Sequence, residues 1–214
     1  MLKRNLLFAF ILISGICHSA NAQTLHYDVV KGNKVLGSMT VERTKVGSET
    51  QYAVESLVNY KLLLSFKIEY ELDERFENGV LVDGSATNSL NDKPQKHSVV
   101  KWDGDKYVVN LNGELSQVNR EGILLSIPQL YFNRPVNQPH IFSQQFAGFI
   151  PLYEKSKDAF VLDSPDGKNY YSYDDEGICE EVKVSRSFAT FYFKLKEKVN
   201  DSKGVKGKKV ADIE

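Results

Sequence analysis

The sequence predicts a mainly β fold, an antiparallel meander that curves into a half-barrel or open barrel. Apolar side chains alternate with polar ones along much of the chain, which is the period of a half-buried strand. Glycine- and asparagine-rich turn signals separate these runs at short intervals. The long crossovers that parallel strands need are mostly absent, so we expect about ten strands that pair with their sequence neighbours.

Individual strands can be assigned from the alternation. Between Phe66 and Leu72, four apolar residues alternate with Lys67, Glu69 and Glu71, which predicts a strand with one wet face. A second strand places one set of side chains on a single face: Tyr52, Val54, Ser56, Val58 and Tyr60. The predicted turns between strands include Asn78-Gly79, Lys93-Pro94, Asn112-Gly113 and Pro165-Asp166-Gly167.

One stretch of the chain departs from this pattern. Residues Glu121 to Phe132 have apolar side chains at helical spacing, interrupted by Pro128, which predicts one short helix. An aromatic segment punctuated by prolines follows, from Tyr131 to Tyr153, and regular strands resume near Phe160. We expect this segment to pack on the concave face of the sheet.

The aromatic segment also supplies the candidate ligand-binding residues. As a lid or wall of an apolar cleft it would bind a lipid or another hydrophobic ligand. The alternative is that the same rings simply complete the hydrophobic core. The candidates are Tyr131, Phe132, Phe142, Phe146 and Phe149.

Three segments are predicted along the chain. Residues 1–22 have a basic start, an apolar run too short to span a bilayer and a small-residue cleavage pattern that ends at Ala22, as in a secretory signal peptide. Residues 23–199 form a single β domain. The lysine-rich residues 200–214 are expected to be a disordered basic tail. The predicted location is therefore the periplasm or the exterior of the cell.

Removal of the signal peptide would leave Cys179 as the only cysteine, so an intrachain disulfide is excluded. We expect this thiol to be buried, with an intermolecular or redox role as the alternative. Continuous alternation would place Cys179 on the face opposite to Ile178, Val182 and Val184.

No pattern in the sequence points to catalysis, a metal or a cofactor. His26, His97 and His140 lie far apart, and the Asp73-Glu74 pair and the acidic turn at Asp174 match no acid/base or calcium pattern. Nucleophile elbows and phosphate-binding or dinucleotide-binding loops are absent. A formal net charge of −1 gives no electrostatic basis for nucleic-acid binding. We therefore expect a protein that is not an enzyme.

The order of several motifs resembles a family of exported bacterial proteins that carry a domain of unknown function. The motifs are Leu25 to Gly37, Phe76 to Leu81, Trp102 to Tyr107, Leu130 to Phe132 and Ser164 to Ile178. The resemblance implies a periplasmic or secreted β protein of Gram-negative bacteria and supplies no catalytic residues. More loosely, the architecture is similar in shape to the half-barrels of periplasmic lipoprotein carriers.

These observations leave three functional hypotheses. The first is an exported envelope protein that binds a hydrophobic ligand or an envelope partner. The second is a structural or protein-interaction module without a ligand. The third is a hydrolase whose site is not visible in sequence.

Overall fold

The computed structural model describes residues 20–61, 65–118, 122–187 and 189–201. Most of the predicted signal peptide (1–19) and of the predicted tail (202–214) lies outside the described residues. Within the described ranges, no helix is long and apolar enough to cross a lipid bilayer.

One antiparallel sheet of fourteen strands accounts for almost all of the described chain. Its strands are β1 (Asn21–Lys31), β2 (Lys34–Val46), β3 (Glu49–Lys61), β4 (Ser65–Glu77), β5 (Val80–Leu90), β6 (Lys93–Trp102), β7 (Tyr107–Leu111), β8 (Glu114–Val118), β9 (His140–Ser143), β10 (Gly148–Ser156), β11 (Ala159–Ser164), β12 (Gly167–Tyr173), β13 (Cys179–Ser185) and β14 (Thr190–Asp201). The predicted fold class is confirmed, whereas the expectation of about ten strands was too low.

The strand order follows the chain except at one place. It runs β8-β7-β6-β5-β4-β3-β2-β1-β14-β13-β12-β11-β10-β9, so the first and last strands pair in the middle of the sheet. The two edge strands, β8 and β9, are consecutive in sequence. The sheet is a meander that is not closed, and residues 122–139, which precede the edge strand β9, cross the inside.

Both ends of the described chain reach into predicted terminal segments. Strand β1 begins at Asn21, so Asn21 and Ala22 pair with β2. Strand β14 continues to Asp201, and its Asn200 pairs with Gln23. The paired region is therefore slightly longer at each end than the predicted domain.

The tight turns show why the strands end where they do. Asn78 and Gly79 have φ angles of 51° and 79°, the left-handed conformation that a two-residue hairpin turn needs. The turn predicted at Lys93-Pro94 is instead formed by Asn91 and Asp92, with φ angles of 50° and 61°. Asparagine and aspartate tolerate this conformation without a glycine, which is why the turn lacked the expected sequence pattern.

The aromatic segment contains more regular structure than its prolines suggest. A 3₁₀ helix, η1 (Ile127–Tyr131), leads into it within the stretch predicted to hold one short helix, and Pro128 is in the first turn, where a missing N–H costs nothing. The predicted loop then forms strands β9 and β10, joined by a short 3₁₀ helix, η2 (Gln144–Phe146). Pro151 is accommodated because β10 changes its partner there, from β9 to β11.

The predicted orientation of Cys179 is wrong because of a β-bulge. Tyr171 pairs with Val182 and Tyr173 pairs with Cys179, which leaves Glu180 as an extra residue in β13. A bulge advances the alternation by one position, so Cys179 and Val182 share the inner face. The Cys179 side chain is fully buried.

The sheet curves enough to bring distant strands together at one end. Lys96 of β6 forms an ion pair of 3.3 Å with Asp166, in the turn between β11 and β12. These strands are far apart in the strand order, so the contact spans the interior. We call this end, which carries the β5–β6, β11–β12 and β13–β14 connections, the mouth; the opposite end is the base.

Candidate ligand cavity

A cavity of about 850 Å³ lies inside the curved sheet. Alternation along β1, β2, β3, β4, β13 and β14 directs apolar side chains into it, among them Val29, Met39, Val54, Ile68, Val184 and Phe193. Its volume falls within the range of roughly 300–1,000 Å³ that is usual for small-molecule sites. The wall is therefore mainly apolar and is built by many strands.

The crossing segment, residues 122–139, also contributes to the cavity. Ile127, Pro128 and Tyr131 of η1 line it. The segment is held to the sheet by buried hydrogen bonds: the Tyr107 hydroxyl donates to the carbonyl of Leu81 and accepts from the backbone N–H of Ile123, both at 2.9 Å. The position of η1 is thus fixed by contacts at the base.

A group of tyrosines surrounds the inner part of the cavity. The Tyr131 ring packs edge-on against Tyr27 and Tyr171, with centroid distances of 5.5 and 6.1 Å. Burial raises the pKa of Tyr131, Tyr171 and Tyr70 well above that of a free phenol. Their hydroxyls stay neutral at physiological pH, so this part of the cavity carries no charge.

Polar side chains are concentrated at the mouth. The amides of Asn88, Gln95, Gln145 and Asn169 line the cavity there, together with Asp166 and Arg186. The arrangement is an apolar interior beneath a polar opening, which suits a ligand with an apolar body and one polar end.

The five sequence-predicted cleft residues are not grouped in one place. Tyr131 lines the cavity. The Phe132 ring lies 5.9 Å from the Tyr52 ring, and Phe142 packs against Phe149 at 5.5 Å. The ammonium of Lys96 lies 4.3 Å from the Phe146 ring. Apart from Tyr131, these aromatic residues belong to the hydrophobic core or pack against it.

Sequence reasoning missed a buried carboxyl group. Glu74 lies on the inner face of β4, where its side chain is 3% exposed and accepts a hydrogen bond from the Ser126 hydroxyl. Burial raises its pKa to about 8, so it holds a proton at neutral pH. Continuing the alternation of β4 from Leu72 places Glu74 inside, which is the clue the sequence offered.

The remaining candidate groups do not assemble into a reactive centre. His26 contacts Thr40 and His97 contacts Thr87, both on strands, while His140 is exposed. Burial raises the pKa of the Cys179 thiol, which disfavours the reactive thiolate. In the part of the chain that the structure describes, no group of three or more histidine, cysteine or acidic residues is arranged to hold a metal ion.

The fold and the cavity together define a class, a β-barrel-like protein with an open sheet and an apolar interior. The chain belongs to the family described as Domain of unknown function (DUF6134), whose model matches residues 27–196. The predicted membership of a domain-of-unknown-function family is thereby confirmed.

Among solved structures, the chain is similar to a β-barrel-like protein of domain of unknown function DUF1849 from Brucella abortus. The TM-score is 0.52 at 12% identity, covering 86% of this chain and 100% of that chain. This similarity concerns the fold alone. No curated protein matches the chain. The comparison with lipoprotein carriers is not confirmed.

Proposed function

We propose that this protein binds a hydrophobic small molecule in the cavity inside its curved sheet. The observation that carries the proposal is the cavity of about 850 Å³ with its apolar wall. Burying apolar ligand surface contributes about 25 cal/mol per Å², which favours an apolar ligand in this cavity. Tyr131 is the sequence-predicted residue that contributes to this wall.

Two other functions compete with ligand binding. If the protein is an interaction module of the envelope, it needs no cavity and should take up no apolar molecule. A hydrolase needs a nucleophile beside a general base. The buried Cys179 and the strand-borne histidines give that hypothesis no support.

An apolar dye tests the binding proposal. We expect N-phenylnaphthylamine to bind the wild-type protein with enhanced, blue-shifted fluorescence. Val184→Phe replaces a small aliphatic side chain of the cavity wall by an aromatic ring. It should weaken dye binding at least about tenfold, because the volume available to the dye decreases.

A matched control carries the same substitution on the outer face. Val108 lies in β7 between the inward residues Tyr107 and Val109, so Val108→Phe should leave dye affinity unchanged. The proposal fails if the wild-type protein does not bind the dye, or if both variants bind it as the wild type does. Native mass spectrometry of protein from its host provides a second check by detecting co-purifying apolar molecules.

We also propose that the protein acts outside the cytoplasm, in the periplasm or beyond. Support comes from the predicted signal peptide, which ends at Ala22. The proposal is tested by measuring whether the protein recovered from its host has the mass expected after removal of residues 1–22.

A further inference from the structure

Arg186 differs from the other charged groups around the cavity. It lies in the connection between β13 and β14 and lines the mouth. Its Nη1 donates hydrogen bonds to Oδ1 of Asn169 at 2.9 Å and to the carbonyl of Ser185 at 3.1 Å. These bonds fix the guanidinium beside the β11–β12 turn.

The glycine in that turn makes the position of Arg186 possible. Gly167 has a φ of 124°, and a Cβ added to it would lie 3.5 Å from Nη1 of Arg186 and 2.3 Å from the carbonyl oxygen of Ser185. A side chain there would collide with the β13–β14 connection. The guanidinium is therefore set at the mouth by the backbone of two neighbouring turns.

The charge of Arg186 is not neutralised by an ion pair within the described ranges. Asp166, the acidic residue at the mouth, is paired with Lys96 at 3.3 Å. Burial lowers the pKa of Arg186 although the charge of Asp166 acts in the opposite direction, so the loss of hydration by the cation is only partly compensated. An anion next to it would compensate for that loss.

We propose that Arg186 binds the anionic head group of an amphiphile whose aliphatic tail occupies the apolar cavity. This inference rests on the proposed function and names its ligand class. Both intramolecular bonds of the guanidinium use Nη1, so Nε and Nη2 can donate as a fork to a carboxylate or phosphate. Gln95, Gln145 and Asn88, which also line the cavity, supply neutral amide donors.

The test compares ligands that share a tail and differ in the head group. Palmitate, hexadecyl phosphate and hexadecanol displace N-phenylnaphthylamine from the full-length protein in competition titrations. We expect one or both anions to bind wild type about ten- to a hundredfold more tightly than the alcohol, the gain expected from a charge-assisted hydrogen bond. The preferred anion identifies the head-group chemistry as carboxylate or phosphate.

Substitutions of Arg186 test whether its side chain causes the preference for an anionic head group. Arg186→Gln should remove the anion preference, so that the anions bind about as tightly as hexadecanol, whereas Arg186→Lys should retain part of the preference. Lys157→Gln is the matched control, because it removes one positive charge from an exposed turn at the base. Thermal unfolding verifies that each variant is folded. If Arg186→Gln does not fold, the comparison of the anions with the alcohol on the wild-type protein still decides the question.

Three outcomes separate this inference from the proposed function. If the anions and the alcohol bind wild type equally, or if Arg186→Gln keeps the preference, the head-group inference is overturned and cavity binding stands. If the dye binds but no amphiphile displaces it, the inference is overturned as well. If neither dye nor amphiphile binds, both proposals fail.

Discussion

At the scale of single residues, the inner face of the sheet places side chains where composition does not suggest them. Glu74 is buried beside Ser126, although it belongs to a strand whose charged residues are otherwise exposed or half-buried. Cys179 is buried because Glu180 forms a bulge. The alternation along β4 is enough to predict that Glu74 faces inward. A bulge has no simple sequence pattern, so the face on which Cys179 lies could not be predicted.

Glu74 gives a prediction for the pH dependence of stability. Its pKa is about 8 in the folded protein against 4.5 for an unperturbed carboxyl. Between these values the unfolded chain releases its proton while the folded protein keeps it. The free energy of unfolding should therefore fall as pH rises from about 4.5 to about 8, by at most about 1.4 kcal/mol per pH unit.

Glu74→Gln should remove this dependence, because the amide is neutral at every pH and its oxygen can still accept from Ser126. Urea unfolding of both proteins at several pH values within this window measures the difference. Glu71→Gln, on the exposed face of the same strand, serves as the control. Parallel stability curves for wild type and Glu74→Gln would contradict the prediction.

At the scale of elements, turns with glycine were predictable and irregular segments were not. Asn78-Gly79 forms the predicted hairpin turn, while Asn91-Asp92 reaches the same conformation without glycine. The strands β9 and β10 were hidden by Pro139 and Pro151, which are tolerated because one precedes β9 and the other lies at a change of partner. Tertiary pairing, which sequence does not display, decides such cases.

The attachment of the crossing segment to the sheet gives a second prediction. Tyr107→Phe removes the hydroxyl that joins the carbonyl of Leu81 to the N–H of Ile123. Leaving these buried backbone groups without that partner should lower the free energy of unfolding by about 1–3 kcal/mol. Urea denaturation measures the loss.

Tyr153→Phe is the control for this change, because the Tyr153 side chain is 53% exposed. We expect the control to alter stability by less than about 0.5 kcal/mol. An equally small effect of Tyr107→Phe would show that the other contacts of the crossing segment, among them the backbone hydrogen bond from Leu81 N–H to the Ile123 carbonyl, hold it without this hydroxyl.

At the scale of the whole molecule, the class of fold was predictable and the cavity was only partly so. Period-2 patterning and close turns led to the antiparallel meander, and alternation put Val54 and Ile68 on an inner face. The cavity depends on how far the sheet curves and on where η1 lies within it. Both depend on contacts between distant strands, such as Lys96 with Asp166, which local patterns do not encode.

The predicted signal peptide gives a prediction at this scale. Protein isolated from the periplasm or medium should have the intact mass of a chain whose first residue is Gln23. Strand β1 would keep its pairing from Gln23 onward and lose the pairs made by Asn21 and Ala22. A protein that retains residues 1–22, or remains in the cytoplasm, would contradict the export proposal.

The central pairing of β1 with β14 determines when this sheet can form. At roughly 5–20 residues per second, synthesis from Asn21 to Asp201 takes roughly 10–40 s. Throughout that time the ribosome has not yet made the partner for one edge of β1. The nascent chain therefore remains without its completed sheet until strand β14 has been synthesised.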